Sequence, residues 1–183
     1  TAHYKQYAWI GDDASQVEPH LYADADLGGC TKSNRSHSGA FLCLRGPNSC
    51  FPITAQGVRQ TSVSTSTAES ELVSMHHAMK KYGIPSLSLW PVLLKRRVTL
   101  HVHEDNTVAI RVMETGKNPT MRHTHRTQRI SISWLHEVMK DPDVWLQHCS
   151  SDKMRADIFT KAFHQKDKWT LARTLINLSL IHI

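Results

Sequence analysis

The most restrictive stretch of this sequence is a strand that ends in an acid. From His20 to Asp24 polar and apolar residues alternate, the period of a half-buried strand, and Leu21-Tyr22-Ala23-Asp24-Ala25-Asp26-Leu27 then breaks at Gly28-Gly29. A carboxylate on a strand that faces a core is costly unless a positive partner meets it. Three further acids, Glu71, Asp105 and Asp157, stand in comparably awkward places. Any fold for this chain must say what positive charge gathers them, and divalent metal ions are the expected answer.

Composition narrows the class. The chain has 183 residues, 40% of them hydrophobic and 21% charged, which fits one domain with a real core rather than a disordered chain. No apolar run approaches the roughly 20 residues of a membrane span, so no membrane partner is expected. Thr1-Ala2-His3-Tyr4-Lys5 has no apolar segment behind it and reads as no secretory signal. The chain begins without Met, as a processed product or an excised piece of something longer would, and an intracellular location (cytoplasm, virus-like particle or nucleus) is expected. The four cysteines, Cys30, Cys43, Cys50 and Cys149, form no CxxC pair, so zinc is poorly supported and reduced thiols are the simpler reading. Cys43 and Cys50 could still meet across a hairpin.

A formal charge of +6, with 13 histidines besides, favours a polyanionic partner such as nucleic acid. The positive residues concentrate in Lys95-Arg96-Arg97 and across Arg122, His123, His125, Arg126 and Arg129. Lys95, Arg96, Arg97, Arg122 and Arg126 are the candidates for phosphate contact; solvated charged loops are the alternative.

Residues 1–17 carry little pattern and read as a lead-in, with the domain over 18–183. Strands are expected near 19–25, over 39–44, and between Cys50 and Ser64 with a break near Gln56-Gly57, which together suggest an antiparallel meander. Ser66-Thr67-Ala68-Glu69 has capping-box spacing and opens a helix to about Tyr82-Gly83. The cap accounts for Glu69. Glu71 has no such local role. It borders the stripe of Ala68, Leu72, Met75 and Met79 and points toward the sheet, or else snorkels to water from the helix boundary. Val98 to His103 is the clearest strand, and Asp105 follows it where strand feeds helix, either as a site residue or as a plain N-cap. His123 and His125, in a basic loop over 116–124, are too isolated for metal ligands. A helix follows over about 126–139, a strand over 144–148, and a helix capped by Asp152 that carries Asp157 to Lys161. For Asp157 the alternative is an i,i+4 ion pair with Lys161. A last amphipathic helix lies within 163–183 and uses Trp169, Ala172, Leu175 and Ile176.

Five motifs then combine. Tyr22-Ala23-Asp24-Ala25-Asp26, Arg35-Ser36-His37-Ser38-Gly39, Ser66-Thr67-Ala68-Glu69-Ser70-Glu71-Leu72, Glu104-Asp105-Asn106 and Ala156-Asp157-Ile158-Phe159-Thr160-Lys161 resemble, in order and spacing, the ribonuclease H domain of copia-type LTR retrotransposon polyproteins. The resemblance covers roughly residues 19–163. It implies an α/β ribonuclease H-like fold, a five-stranded mixed sheet with helices on both faces, and Asp24, Glu71, Asp105 and Asp157 as the catalytic carboxylates.

By the same resemblance those four acids hold two Mg²⁺ or Mn²⁺ ions, with Asp24 bridging them, Asp157 completing the ion that activates water, and Glu71 and Asp105 the ion at the leaving oxygen. Hard oxygen ligands suit magnesium and require neither cysteine nor histidine. The implied activity is endonucleolytic hydrolysis of the RNA strand of RNA/DNA hybrids during reverse transcription, with a reverse transcriptase or larger assembly as possible partner. A domesticated, non-catalytic nucleic-acid-binding or structural subunit is the alternative. The chain departs from the family pattern at Leu27, where a Trp is common, and at Gln128-Arg129-Ile130-Ser131. His148 lies near the last carboxylate in sequence, and Asp26 is a neighbour that could tune Asp24 rather than a ligand.

Overall fold

Residues 1–17 contribute two short strands, β1 (Lys5–Gln6) and β2 (Trp9–Ile10). The computed structural model describes residues 3–179. After β2 come β3 (Glu18–Ala25), β4 (His37–Gly46) and β5 (Ser49–Arg59), the expected antiparallel meander. β5 runs unbroken through Gln56-Gly57. The irregularity falls instead between Leu42 and Cys43, whose partners are Thr54 and Pro52, and a bulge is where a strand tolerates proline.

The main sheet has six strands in the order β2-β5-β4-β3-β6-β7, where β6 is Leu100–Glu104 and β7 is Val144–His148. The expected five form its body, and the sixth is the lead-in turning back to lay Trp9 against Cys50 and Ile10 against Ser49. β6 pairs parallel with both β3 and β7. At the other end of the chain β8 (Leu178–Ser179) pairs antiparallel with β1. All four cysteines are free thiols; Cys43 and Cys50 do meet across the β4–β5 hairpin, as hydrogen-bonded thiols without a disulfide, although the register puts Pro52 and Arg45 directly opposite them.

Helix α1 (Thr67–Ala78) passes through a single π-turn (Met79–Gly83) into α2 (Ile84–Leu94), whereas the sequence pattern ends the helix at Gly83. Pro85 lies in the first turn of α2, directly after the π-turn. Helix α3 (Thr107–Thr115) starts at an Asn106 cap and stops at Gly116 in the left-handed region. The helix expected over 126–139 is two: α4 (Thr124–Thr127) and α5 (Ile132–Met139). Arg129 at φ 56° breaks the run, and Ser131 caps α5 by accepting from Trp134 N–H. The region from Asp152 to Lys161 forms two 3₁₀ turns, Ser151–Lys153 and Arg155–Phe159, not an α-helix. The last helix, α6, is Lys166–Leu175; the expected extent beyond 179 lies outside the described residues.

Alternation divides the core between the faces of the sheet. Leu21, Ala23, Leu42, Leu100 and Val102 point to one side and pack with Leu72 and Met75 of α1, Val112 of α3 and Leu135 of α5. Tyr22, Phe41 and Cys43 point to the other, against Met154, Ala156 and Ile176. Helical elements therefore cover both faces, and the carboxyl end of β3 lies between them.

Candidate active site

Asp24 occupies the face of Tyr22, one residue before β3 ends, and is fully buried. Thr160 Oγ1 donates to its Oδ2. Across the same face the Arg155–Phe159 turn brings in Asp157. That turn lies flat on the sheet because two glycines are paired beneath it. A Cβ on Gly39 would stand 2.8 Å from Ala156 O and from Thr160 Cγ2, and one on its cross-strand partner Gly57 would stand 2.9 Å from Phe159 O.

Glu71 approaches from the opposite face. It extends from the first turns of α1, 3% exposed, beside the end of β6. Ser74, one turn later, fixes the helix to the strand ends by donating to Asp24 O at 2.8 Å and to Gly39 O at 3.2 Å. Asp105 lies just beyond β6, between the faces, and accepts from Ser151 Oγ at 2.8 Å. It is not the N-cap of α3; Asn106 fills that position with bonds of 3.0 Å from Val108 N–H and Ala109 N–H.

The four acids expected to converge do so, and a fifth joins them. Asp24, Asp105 and Asp157 present oxygens within 4.8 Å of one another, and so do Glu71, Glu104 and Asp105. Sequence reasoning missed Glu104 as a site residue although the signal was present. Leu100 and Val102 face α1 while His101 and His103 face away, so strict alternation also places Glu104 toward α1 and Glu71.

Three buried oxygens in this cluster, Asp24 Oδ1, Glu71 Oε2 and Glu104 Oε2, have no hydrogen-bond partner. Lys161 Nζ stands 3.3 Å from Asp24 Oδ1, outside hydrogen-bonding geometry, and donates to Asp157 Oδ1 at 2.8 Å. The i,i+4 pair foreseen for Asp157 thus exists alongside the site. Burial, then the charges of Glu104, Asp24 and Asp105, push the Glu71 carboxyl up to about 11. Burial, then Asp24, push Asp157 up to about 7 against the pull of Lys161. Burial holds Glu104 well above the usual range despite the Asn106 N–H it accepts. A cation would reverse these shifts, and an all-carboxylate donor set suits a hard ion such as Mg²⁺ or Mn²⁺.

Neighbouring acids are accounted for differently. Glu69 is fully buried and satisfies the loops before α1 and α5: its Oε2 accepts from Thr65 N–H at 2.8 Å and its Oε1 from Gln128 Nε2 at 3.1 Å. The capping box is thereby displaced, since Ser66 Oγ caps Glu69 N–H but Glu69 answers to Thr65, not Ser66. Asp26 holds the start of β4, accepting from His37 Nδ1 at 2.9 Å, and forms no part of the carboxylate cluster. His148 is exposed and stands opposite Glu104 in the β6–β7 register.

The two basic clusters lie at different ends of β3. Arg96 donates to Glu18 Oε1 at 2.7 Å and to Val17 O, beside the first residue of β3, and Arg97 pairs with Asp143. Eight residues of strand, about 3.3 Å each, place that end far from Asp24. Lys95 is exposed, in the left-handed region at the end of α2. Arg122 and, in α4, Arg126 are exposed on either side of His123, whose Nε2 lies 3.4 Å from Glu69 Oε1, next to the start of α1 and hence on the side of Glu71.

No protein-family model and no curated protein matches the chain. Solved structures do. The chain is similar to LC11-RNase H1 in complex with RNA/DNA hybrid (TM-score 0.53, 14% identity, 78% of this chain and 94% of that one). It is also similar to LC11-RNase H1 isolated from compost by a metagenomic approach (0.52, 15%, 78% and 92%) and to the PFV RNase H domain (0.50, 16%, 88% and 93%). The fold is ribonuclease H-like. In that fold the carboxylates of this chain cluster at the carboxyl ends of β3 and β6, where parallel strands and their helices leave a crevice.

Proposed function

We propose that this protein is a metal-dependent endonuclease that hydrolyses the RNA strand of RNA/DNA hybrids, the ribonuclease H step of reverse transcription in a copia-type retrotransposon. One observation carries the reading: acids from four separate segments converge, with buried oxygens that no group of the protein satisfies. A structural or purely binding module gains nothing from that arrangement, because each uncompensated buried carboxylate destabilises the fold.

Asp24, Glu71, Asp105 and Asp157 would hold the ions. Divalent cations bound there would supply charge neutralisation at the scissile phosphate and a water acidic enough to attack it. The chain's own residues do the positioning. Thr160 fixes one oxygen of Asp24 and leaves the other toward the site. Ser151 orients Asp105. Lys161 supplies an ammonium beside Asp24 and Asp157 that neutralises part of the charge.

Arg122 and Arg126, exposed on the side of Glu71, would follow the phosphates, whereas Arg96 and Arg97 are engaged with Glu18 and Asp143 at the other end of the sheet. Discrimination of a hybrid would rest on groove shape and 2′-hydroxyls rather than on base edges. A reverse transcriptase or a larger assembly inside the cell would be its setting. Among the described residues no helix is long and apolar enough to cross a membrane.

The test is hydrolysis of a labelled RNA/DNA hybrid with Mg²⁺, beside double-stranded RNA and duplex DNA, by wild type and Asp24→Asn. Cleavage of the RNA strand of the hybrid alone, abolished in the variant, is expected. Binding of the hybrid without cleavage by wild type would replace this reading with the non-catalytic one.

A further inference from the structure

We infer that Glu104 is a fifth ligand of the metal centre. In this arrangement Glu104 joins Glu71 and Asp105 at one end of the carboxylate cluster, and Asp24 and Asp157 stand with Asp105 at the other. The inference rests on the nuclease reading above and changes which residues serve it.

Geometry supplies the first support. Oxygens bound to one ion can lie no farther apart than twice the ion–oxygen distance, about 4–5 Å for Mg²⁺, Mn²⁺ or Ca²⁺. Both triads fall within 4.8 Å, and Asp105 is the member common to them. Its position explains why: it follows the last residue of β6, between the face that carries Glu71 and Glu104 and the face that carries Asp24 and Asp157.

The second support is what Glu104 does not do for the fold. Its side chain is fully buried; Oε1 accepts from Asn106 N–H at 3.1 Å, while Oε2 has no hydrogen-bond partner. A glutamine carbonyl would accept that bond equally well. The α3 cap is already made by Asn106. Glu71 Oε2 is likewise buried and unpartnered beside it. No lysine, arginine or histidine among the described residues forms an ion pair with Glu71 or Glu104, whereas Lys161 meets both Asp24 and Asp157. One end of the cluster carries an internal counter-ion and the other does not. The end without one gains most from an external cation, so it should fill first.

Titration of metal-stripped protein with Mn²⁺, followed by the electron paramagnetic resonance signal of free Mn²⁺ and by thermal melting, tests this. Wild type should bind two ions. Glu104→Gln keeps the volume and the Asn106 bond; it should weaken the tighter site at least tenfold and lose most of the Mn²⁺-induced rise in melting temperature. Asp157→Asn should weaken the looser site and spare the tighter one. If Glu104→Gln fails to fold, Glu104→Asp, which keeps the charge but withdraws it, should show the same selective loss. Two ions bound by Glu104→Gln with wild-type affinity would remove Glu104 from the centre and leave the nuclease reading intact. Wild type that binds no Mn²⁺ would overturn both.

Discussion

Glu69 and Glu71 are two residues apart on one helix and both are buried, but only Glu71 has an unpartnered oxygen. Glu69 spends its oxygens on Thr65 and Gln128, so Glu69→Gln would turn an amide toward donors it cannot accept from. We expect a loss of about 1–3 kcal/mol in stability, read by denaturant melting, with cleavage per folded molecule retained. Glu71→Gln should do the reverse: more than about 100-fold slower single-turnover cleavage, beyond an outer-shell effect, and a metal-free protein that melts higher because a buried repulsion is gone. Equal kinetic losses in the two variants would show that the carboxylate at 71 has no special role. Helical spacing left Glu71 between a site residue and a boundary acid that snorkels to water, and the family resemblance chose between them. Spacing could not give Glu69 its place, because Gln128 comes from a segment 59 residues away. Lys161 was legible as a partner of Asp157 but not of Asp24, for the same reason of distance along the chain.

At the level of elements, the turn that carries Asp157 is held by contact with bare backbone. Gly39→Ala would push a methyl group into Ala156 O and Thr160 Cγ2, and the turn must lift to admit it. Cleavage should fall at least tenfold with a stability loss of about 1–3 kcal/mol, and Gly57→Ala, which meets Phe159 O, should act in the same direction. A Gly39→Ala variant with wild-type kinetics would show that the position of this turn does not control the site. The strands were read well because alternation is a local signal; β3, β4, β6 and β7 all lie where the pattern put them. Helix ends were read less well. Pro85 and Pro91 look like breakers in sequence, yet one sits in the first turn of α2 and the other is carried inside it. The α4–α5 break depends on Arg129 adopting a left-handed backbone, which side-chain periodicity does not report. The 3₁₀ form of 155–159 follows from the sheet beneath it, a tertiary cause invisible to spacing.

For the whole molecule, the carboxylates and the histidines set opposing pH dependences. His20 and His103, bonded at 2.9 Å and stacked in one column with His101 and Tyr22, are held by burial down to about 2 and about 3. Below their ordinary value of 6.5 the unfolded chain takes up protons that the fold refuses, so this column makes stability rise with pH up to about 6.5. Glu71 and Asp157 behave oppositely. With folded values of about 11 and about 7, the native state binds more protons than the unfolded chain from about pH 4 upward, and stability falls as pH rises. Above pH 6.5 the histidines drop out, and the downward pull of Glu71 and Asp157 is opposed by the Cys50 thiol, which its hydrogen bond with Cys43 holds down to about 5. In chelator the melting temperature of Glu71→Gln should therefore fall less, or rise more, from pH 6.5 to 10 than that of wild type, and Mn²⁺ should raise the wild type's over that range. A Glu71→Gln variant whose melting temperature in chelator follows pH as the wild type's does would contradict the clustering of the acids.

The pairing of β1 with β8 has a consequence of another kind. Lys5 lies opposite Ser179 and Gln6 opposite Leu178, with Tyr7 N–H reaching Asn177 O at 3.0 Å and Gln6 Nε2 reaching Ile176 O at 3.0 Å. Partners across an antiparallel ladder stand about 5 Å apart, so the described backbone traces a path that almost closes into a ring. The order in which the segments are strung is then separable from the shape they make. Joined by a short linker there and reopened in the exposed Thr31-Lys32 loop, the same residues could be written as a circular permutant, and its carboxylates would still meet.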